Sequence, residues 1–186
     1  MTPSRYFGKM IFARNNFYVL SGGPGVGKTT LLRELARRGI RCVAEPARAI
    51  IQAQVRIGGD ALHHANRAKF RDLMLSHGML DYEAISERDE PVFFDRGIAE
   101  LSGYAPPVPD YVHNAIRTYR YNPHVFILPP WKDIYRTDAE RTHTWNEAVA
   151  VYHDIKKAYS DAGYLVVEVP PAPVEQRAEY VLKRIK

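Results

Sequence analysis

Short, continuous apolar runs alternate along this chain with longer segments whose apolar residues recur every three or four positions. The first pattern is that of strands buried on both faces of a sheet, and the second is that of helices covering those faces. Phe17-Tyr18-Val19-Leu20 is the first such run, and it leads into Ser21 and a group of glycines. Comparable runs stand at Arg41-Cys42-Val43-Ala44, Val92-Phe93-Phe94, Val125-Phe126-Ile127-Leu128 and Leu165-Val166-Val167-Glu168-Val169. Between them the spacing predicts helices over 28–38, 47–57, 61–87, 108–121, 145–162 and 174–185. In the first of these, Leu31, Leu32, Leu35 and Ala36 share one side, and Gly39 ends the helix. In the third, Leu73, Leu75, Leu80 and Ile85 are candidates for burial, and Gly58-Gly59 separates it from the second. Five strands with intervening helices predict a three-layer α/β/α fold around a five-stranded parallel sheet. No repeat, low-complexity tract or long linker divides residues 1–186, so they read as one domain with 1–16 as an N-terminal extension.

Composition narrows the class. The 186 residues are 46% hydrophobic and 25% charged, as in an ordinary globular domain, which excludes disorder, collagen and a disulfide scaffold. Cys42 is the only cysteine, so an internal disulfide is impossible and a reducing cytoplasm is the expected location. Lys and Arg number 26 against 21 Asp and Glu, a formal charge of +5 that favours anionic partners, either nucleic acid or a polyphosphate. The first sixteen residues lack the apolar run of a signal peptide, and no stretch approaches the ~18 apolar residues of a membrane helix, so no membrane partner is expected.

The sharpest chemical signal is Gly22-Gly23-Pro24-Gly25-Val26-Gly27-Lys28-Thr29, with Thr30 next, a full match to G-x-x-x-x-G-K-[ST] between a strand and a helix. Glycines let such a loop turn its N–H groups inward, and the helix that starts there adds the positive end of its dipole. Lys28 reaches the β- and γ-phosphates, and the Thr29 hydroxyl can join the shell of a Mg²⁺ ion. A nucleoside triphosphate, by default ATP, is the expected ligand. Asp95 closes the apolar run from Val92 and is placed to hold Mg²⁺ directly or through water, although an Asp after a strand is also a common turn former. Glu45 comes directly after the second strand. The carboxyl ends of adjacent parallel strands open into one crevice, so Glu45, Asp95 and the phosphate loop converge there. A carboxylate so placed can accept a proton from an attacking hydroxyl, or simply pair with Arg48 or Arg96.

The residues immediately after Asp95 separate reaction classes. Arg96 stands where many ATP hydrolases carry a water-activating Glu, and the guanine-reading N-K-x-D sequence is absent. The phosphate loop, Glu45-Pro46 and Asp95-Arg96-Gly97 together resemble the P-loop nucleoside and nucleotide kinases, with Gly97 where deoxynucleoside kinases carry Ser. The likeness is closer to short bacterial P-loop proteins called AAA-type ATPases or predicted kinases, which share the D-R-G triplet and a Y-x-x-D segment like Tyr135-Arg136-Thr137-Asp138. This resemblance implies that Glu45 is the base for the acceptor hydroxyl and that Arg96 orients acceptor and phosphate. It also implies that 129–144 is a lid whose Arg136 and Arg141 close over the transferring group, a task suited to the fixed guanidinium fork. Lys28, Glu45, Arg96, Arg136 and Arg141 are thus the candidate catalytic residues.

Weaker signals lie elsewhere. His63-His64 has no further Cys or His at ligand spacing and reads as surface or pocket. Arg67, Phe70 and Arg71 fall on the long helix that lines the acceptor pocket in related kinases, where an aromatic and a basic residue suit a nucleobase or a phosphorylated acceptor; a Phe at that spacing also suits a core. Arg117-Thr118-Tyr119-Arg120-Tyr121 interleaves basic and aromatic residues but reads as the exposed face of an amphipathic helix, so nucleic acid is not an expected partner. Two functions remain open at this level. One is Mg-ATP-dependent phosphoryl transfer to a small acceptor, nucleoside- or nucleotide-like. The other is a regulatory switch that hydrolyses ATP slowly and signals to a protein or nucleic-acid partner.

Overall fold

A computed structural model describes residues 11–86, 90–134 and 144–185. Among these residues, seven strands and six α-helices run in the order β1 (Phe12–Ala13), β2 (Phe17–Gly22), α1 (Lys28–Arg37), β3 (Arg41–Val43), α2 (Ala47–Ile57), α3 (Arg67–Glu83), β4 (Val92–Asp95), α4 (Asp110–Thr118), β5 (Tyr119–Arg120), β6 (His124–Leu128), α5 (Trp145–Asp161), β7 (Leu165–Glu168) and α6 (Val174–Leu182). A 3-10 helix over Ile98–Gly103 comes after β4. The main sheet has the order β3-β4-β2-β6-β7, and every pairing in it is parallel. With helices on both faces this is the three-layer α/β/α fold of P-loop proteins.

The continuous apolar runs are explained by the two faces they serve. Along the three inner strands, Phe17, Val19, Val92, Phe94, Val125 and Ile127 enter one core, shared with the side of α3, α4 and α5. Their alternate neighbours Tyr18, Leu20, Phe93, Phe126 and Leu128 enter a second core under α1 and α6. Period-2 alternation thus builds two cores from one sheet, and neither face of the inner strands meets water.

Several boundaries differ from the periodicity. The long third helix begins only at Arg67, because the Asn66 side chain accepts a hydrogen bond from Lys69 N at 3.1 Å and caps it there. Leu80 is 62% exposed, since the inner face of α3 is set by Phe70, Leu75 and Tyr82. On α1, Ala36 is exposed and Glu34 is buried in its place, held by Arg37 and Arg38. The predicted helix over 108–121 stops at Thr118, and Tyr119–Arg120 instead pairs in parallel with Phe12–Ala13 of the N-terminal stretch. Two-residue strands carry no period to read. The Tyr82 hydroxyl satisfies this corner by lying 3.0 Å from the Phe12 carbonyl and 2.8 Å from that of Arg120.

Candidate functional site

The carboxyl ends of β2, β3 and β4 bring the sequence motifs together. β2 runs into the loop Gly22–Gly27, and α1 opens at Lys28 with its N-terminus on that loop. Gly25 and Gly27 take φ of 77° and 81°, the left-handed region that other residues enter at a cost of roughly 1–2 kcal/mol each. A phosphate in this loop meets unpaired helix N–H groups and the Lys28 ammonium. Thr29 and Thr30 stand next on the exposed first turn.

Around Lys28 lies a network of fixed charges. Its ammonium donates to Asp95 Oδ1 and stands 3.9 Å from Glu45 Oε2. Glu45 Oε1 lies 3.0 Å from Arg96 Nε, an ion pair whose angle is too poor for a hydrogen bond, so Nε is left without one. Arg96 Nη1 donates to Glu100 Oε2 at 2.5 Å. Burial opposes the Arg96 charge, but Glu100 and then Glu45 outweigh it and hold its pKa above the ordinary arginine value. Arg96 also sits at φ 69°, a strained conformation for a residue with a side chain, and its N–H donates to the Leu20 carbonyl at 3.1 Å.

Glu100 is a site residue that no sequence motif marks. Its Oε1 accepts from the Ser21 hydroxyl at 2.5 Å and from the Tyr159 hydroxyl at 2.7 Å, while its Oε2 takes Arg96. Tyr159 in turn accepts from Gly97 N at 2.9 Å. A Cβ at position 97 would stand 3.0 Å from Val19 Cγ2 and 3.2 Å from Tyr159 Oη. A side chain at 97 would therefore crowd Val19 and the Tyr159 hydroxyl, which fits the glycine found there. Nothing in the local sequence links Ser21, Glu100 and Tyr159, which are separated by 79 and 59 positions.

Beyond Arg96 a cavity of about 750 Å³ opens, lined near the loop by Glu45, Asp95, Arg96 and Glu100. At its other end stand His63, Arg67, Phe70 and Tyr104. Arg67 Cζ lies 4.8 Å from the Tyr104 ring centroid, and the Phe70 and Tyr104 rings are 6.0 Å apart. Phe70 is both a buried core residue and a wall of the cavity. Arg71 is not a wall. It is 3% exposed and donates to the Ala105 carbonyl at 2.9 Å, because the helix turns it toward the loop before α4. Of the segment 117–121 only Arg117 is exposed: Tyr121 is buried, Arg120 Nη1 donates to the Ala162 carbonyl at 3.0 Å, and its guanidinium covers Tyr164 at 4.1 Å. Arg136 and Arg141 lie outside the described residues, as does the Tyr135–Asp138 segment.

No group of three or more His, Cys, Asp or Glu suited to a metal ion occurs among the described residues. Asp95 and Thr29 do fit a hard cation that draws most of its ligands from phosphate oxygens and water, which is how Mg²⁺ is held beside nucleotides. No helix among the described residues is long and apolar enough to cross a membrane.

None of the curated proteins matches the chain. Among solved structures, it is similar to the NadR protein in complex with NR, with a TM-score of 0.67, 18% identity, and coverage of 92% of this chain and 50% of that one. The chain therefore spans half the length of that relative. It is also similar to a thymidylate kinase from Ehrlichia chaffeensis (TM-score 0.54, 19% identity, covering 95% of this chain and 97% of that one). A shikimate kinase from Aquifex aeolicus has a TM-score of 0.54 at 16% identity, over 90% of this chain and 94% of that one. At such identities these likenesses establish the P-loop fold. The sequence model described as "AAA domain" matches residues 17–177, which include the phosphate loop, Glu45 and the Asp95-Arg96-Gly97 turn, and the chain belongs to that AAA-domain family.

Proposed function

We propose that this protein is a Mg-ATP-dependent phosphotransferase that moves the γ-phosphate to a hydroxyl of a small, nucleoside- or nucleotide-like acceptor. The observation that carries this reading is the cavity of about 750 Å³ opening directly from Glu45 and Arg96. Hydrolysis needs room for one water, whereas a space of this size matches a bound small molecule. Kinases of the same fold support the choice, as does a ring-lined far end suited to a planar group.

In this reading the loop Gly22–Thr30 cradles the phosphates, and Lys28 leaves Asp95 to meet the β- and γ-oxygens. Asp95 and Thr29 hold Mg²⁺, which when bound neutralises charge on the phosphates. Glu45 accepts the proton of the acceptor hydroxyl, and Arg96 steadies the acceptor and the charge of the transferring group. The lid arginines expected from the sequence, Arg136 and Arg141, add to that charge; their replacement by Ala is expected to lower transfer more than ATP binding.

The test incubates the protein with γ-labelled ATP and pooled metabolites. A labelled organic product supports the kinase. Release of labelled inorganic phosphate alone, at a rate indifferent to every pool, overturns it in favour of the slow ATPase switch. Glu45→Gln then probes the base: ATP affinity is expected to hold while transfer falls by about 10²–10⁴-fold. An equal loss of acceptor-free hydrolysis points instead to a water-activating carboxylate.

A further inference from the structure

Arg177, on α6, is a charged residue without a counterion among the described residues. It is 5% exposed, and no carboxylate lies within ion-pair distance of it among the described residues. Among the described residues its Nε has no hydrogen-bond partner, and the guanidinium's hydrogen bond is Nη1 donating to the Val26 carbonyl at 3.4 Å. Burial holds its pKa below the ordinary arginine value, with Glu175 opposing the shift from longer range. A buried cation in this state is costly unless an anion completes it.

The place of this cation indicates which anion. A Cβ on Gly27 would stand 2.9 Å from Arg177 Nη1 and 3.2 Å from Nη2, so the guanidinium lies against the last glycine of the phosphate loop, one residue before Lys28. The Trp131 ring covers the guanidinium at 5.6 Å. Neither Arg177 nor Trp131 lines the cavity that opens at Glu45 and Arg96. In-line transfer puts the acceptor and the leaving ADP on opposite sides of the γ-phosphorus. With the acceptor in that cavity, the ADP portion points away from it, and Arg177 stands against the loop outside the cavity.

We propose that Arg177 is a nucleotide-binding residue, contributed by the last helix, whose guanidinium contacts a phosphate of the ADP portion of the bound nucleotide. The inference rests on the nucleotide-binding reading above, but not on which acceptor is used. Gly27, whose φ of 81° already favours glycine, leaves the guanidinium room to lie against the loop.

Calorimetric titration with MgADP, paired with thermal melting of the free protein, tests it on the full chain. For Arg177→Met the expected result is MgADP affinity about 10- to 100-fold weaker, the loss of one charge-assisted contact. The free variant is expected to melt at or above the parent, because a buried unpaired charge has been replaced by an apolar chain of similar size. Arg177→Lys, which keeps the charge without the planar fork, is expected to bind MgADP with an intermediate loss. Parental affinity in either variant overturns the proposal. So does an Arg177→Met protein that melts below the parent or fails to fold, since that makes the arginine a structural strut. If the parent itself binds no MgADP, the nucleotide reading falls and takes this inference with it; if the parent binds and Arg177→Met binds equally well, this inference alone falls.

Discussion

Gly97 shows how one residue can be decided by a neighbour 62 positions away. The Tyr159 hydroxyl, with Val19, crowds the place of a side chain there; it accepts from the Gly97 N–H and donates its own proton to Glu100. Burial pushes that hydroxyl well above its ordinary pKa, so it stays a donor at any working pH. Tyr159→Phe leaves a buried N–H and one lone pair of Glu100 unmet, and a loss of about 1–3 kcal/mol is expected in denaturant melts. Gly97→Ser forces the tyrosine outward and is expected to lower stability by a similar ~1–3 kcal/mol as overpacking; it should also lower acceptor-dependent turnover more than ATP affinity, because Arg96 is held through Glu100. Asp95→Asn keeps the shape of its side chain without the charge. ATP binding is expected to survive largely intact in this variant while turnover at limiting Mg²⁺ drops, and full activity there would make Asp95 a partner of Lys28 and nothing more.

At the scale of elements, α1 shows what periodicity alone leaves out. Its leucines are where the helical spacing predicts, yet Glu34 is buried with them because Arg37 and Arg38 fold back onto it at 2.8 and 2.7 Å. Hydrogen bonds from Arg37, then Arg38, draw its pKa down from 4.5 to about 2 against the opposing effect of burial. A depressed carboxylate stabilises the fold above its unfolded pKa, and this contribution disappears as the pH falls through the folded value. The stability difference between the parent and Glu34→Gln is therefore expected to be constant above about pH 5 and to shrink steadily toward pH 2. Melting curves at about pH 7, 4 and 2.5 measure it, and a difference that grows on acidification would refute the pairing. The Arg38 guanidinium also reaches the Glu175 carbonyl at 3.4 Å, tying α1 to the helix that carries Arg177.

At the scale of the molecule, the sheet divides two kinds of work. Its carboxyl edge gathers the charges, while its two faces are closed by separate cores. The remote corner of β1 and β5 is joined to α3 by Tyr82, whose single hydroxyl proton lies within reach of two carbonyls. Tyr82→Phe is expected to speed amide exchange in β1 and β5 while leaving MgADP affinity unchanged, since that corner is far from the phosphate loop. Unaltered exchange there would show that the short strands stand without it.

The sequence by itself determined what is local or periodic. Continuous apolar runs marked the strands, and each of the five stands in the sheet, the inner three covered on both faces. Glycines leading into Lys28 and Thr29 between a strand and a helix determined the phosphate loop, because backbone geometry and charge are written in adjacent residues. Glu45 and Asp95 were legible as neighbours because parallel strands aim their carboxyl ends one way. Only the tertiary structure decided what depends on distance in space. Arg71 went to a loop and not to the cavity, Tyr119–Arg120 became a strand because Phe12–Ala13 lay beside it, and Glu100 became the holder of Arg96 through Ser21 and Tyr159. Arg177 carried no motif, and it stands at the phosphate loop solely because α6 packs against α1. Such contacts arise from how helices settle on a sheet, and no periodicity along the chain encodes them.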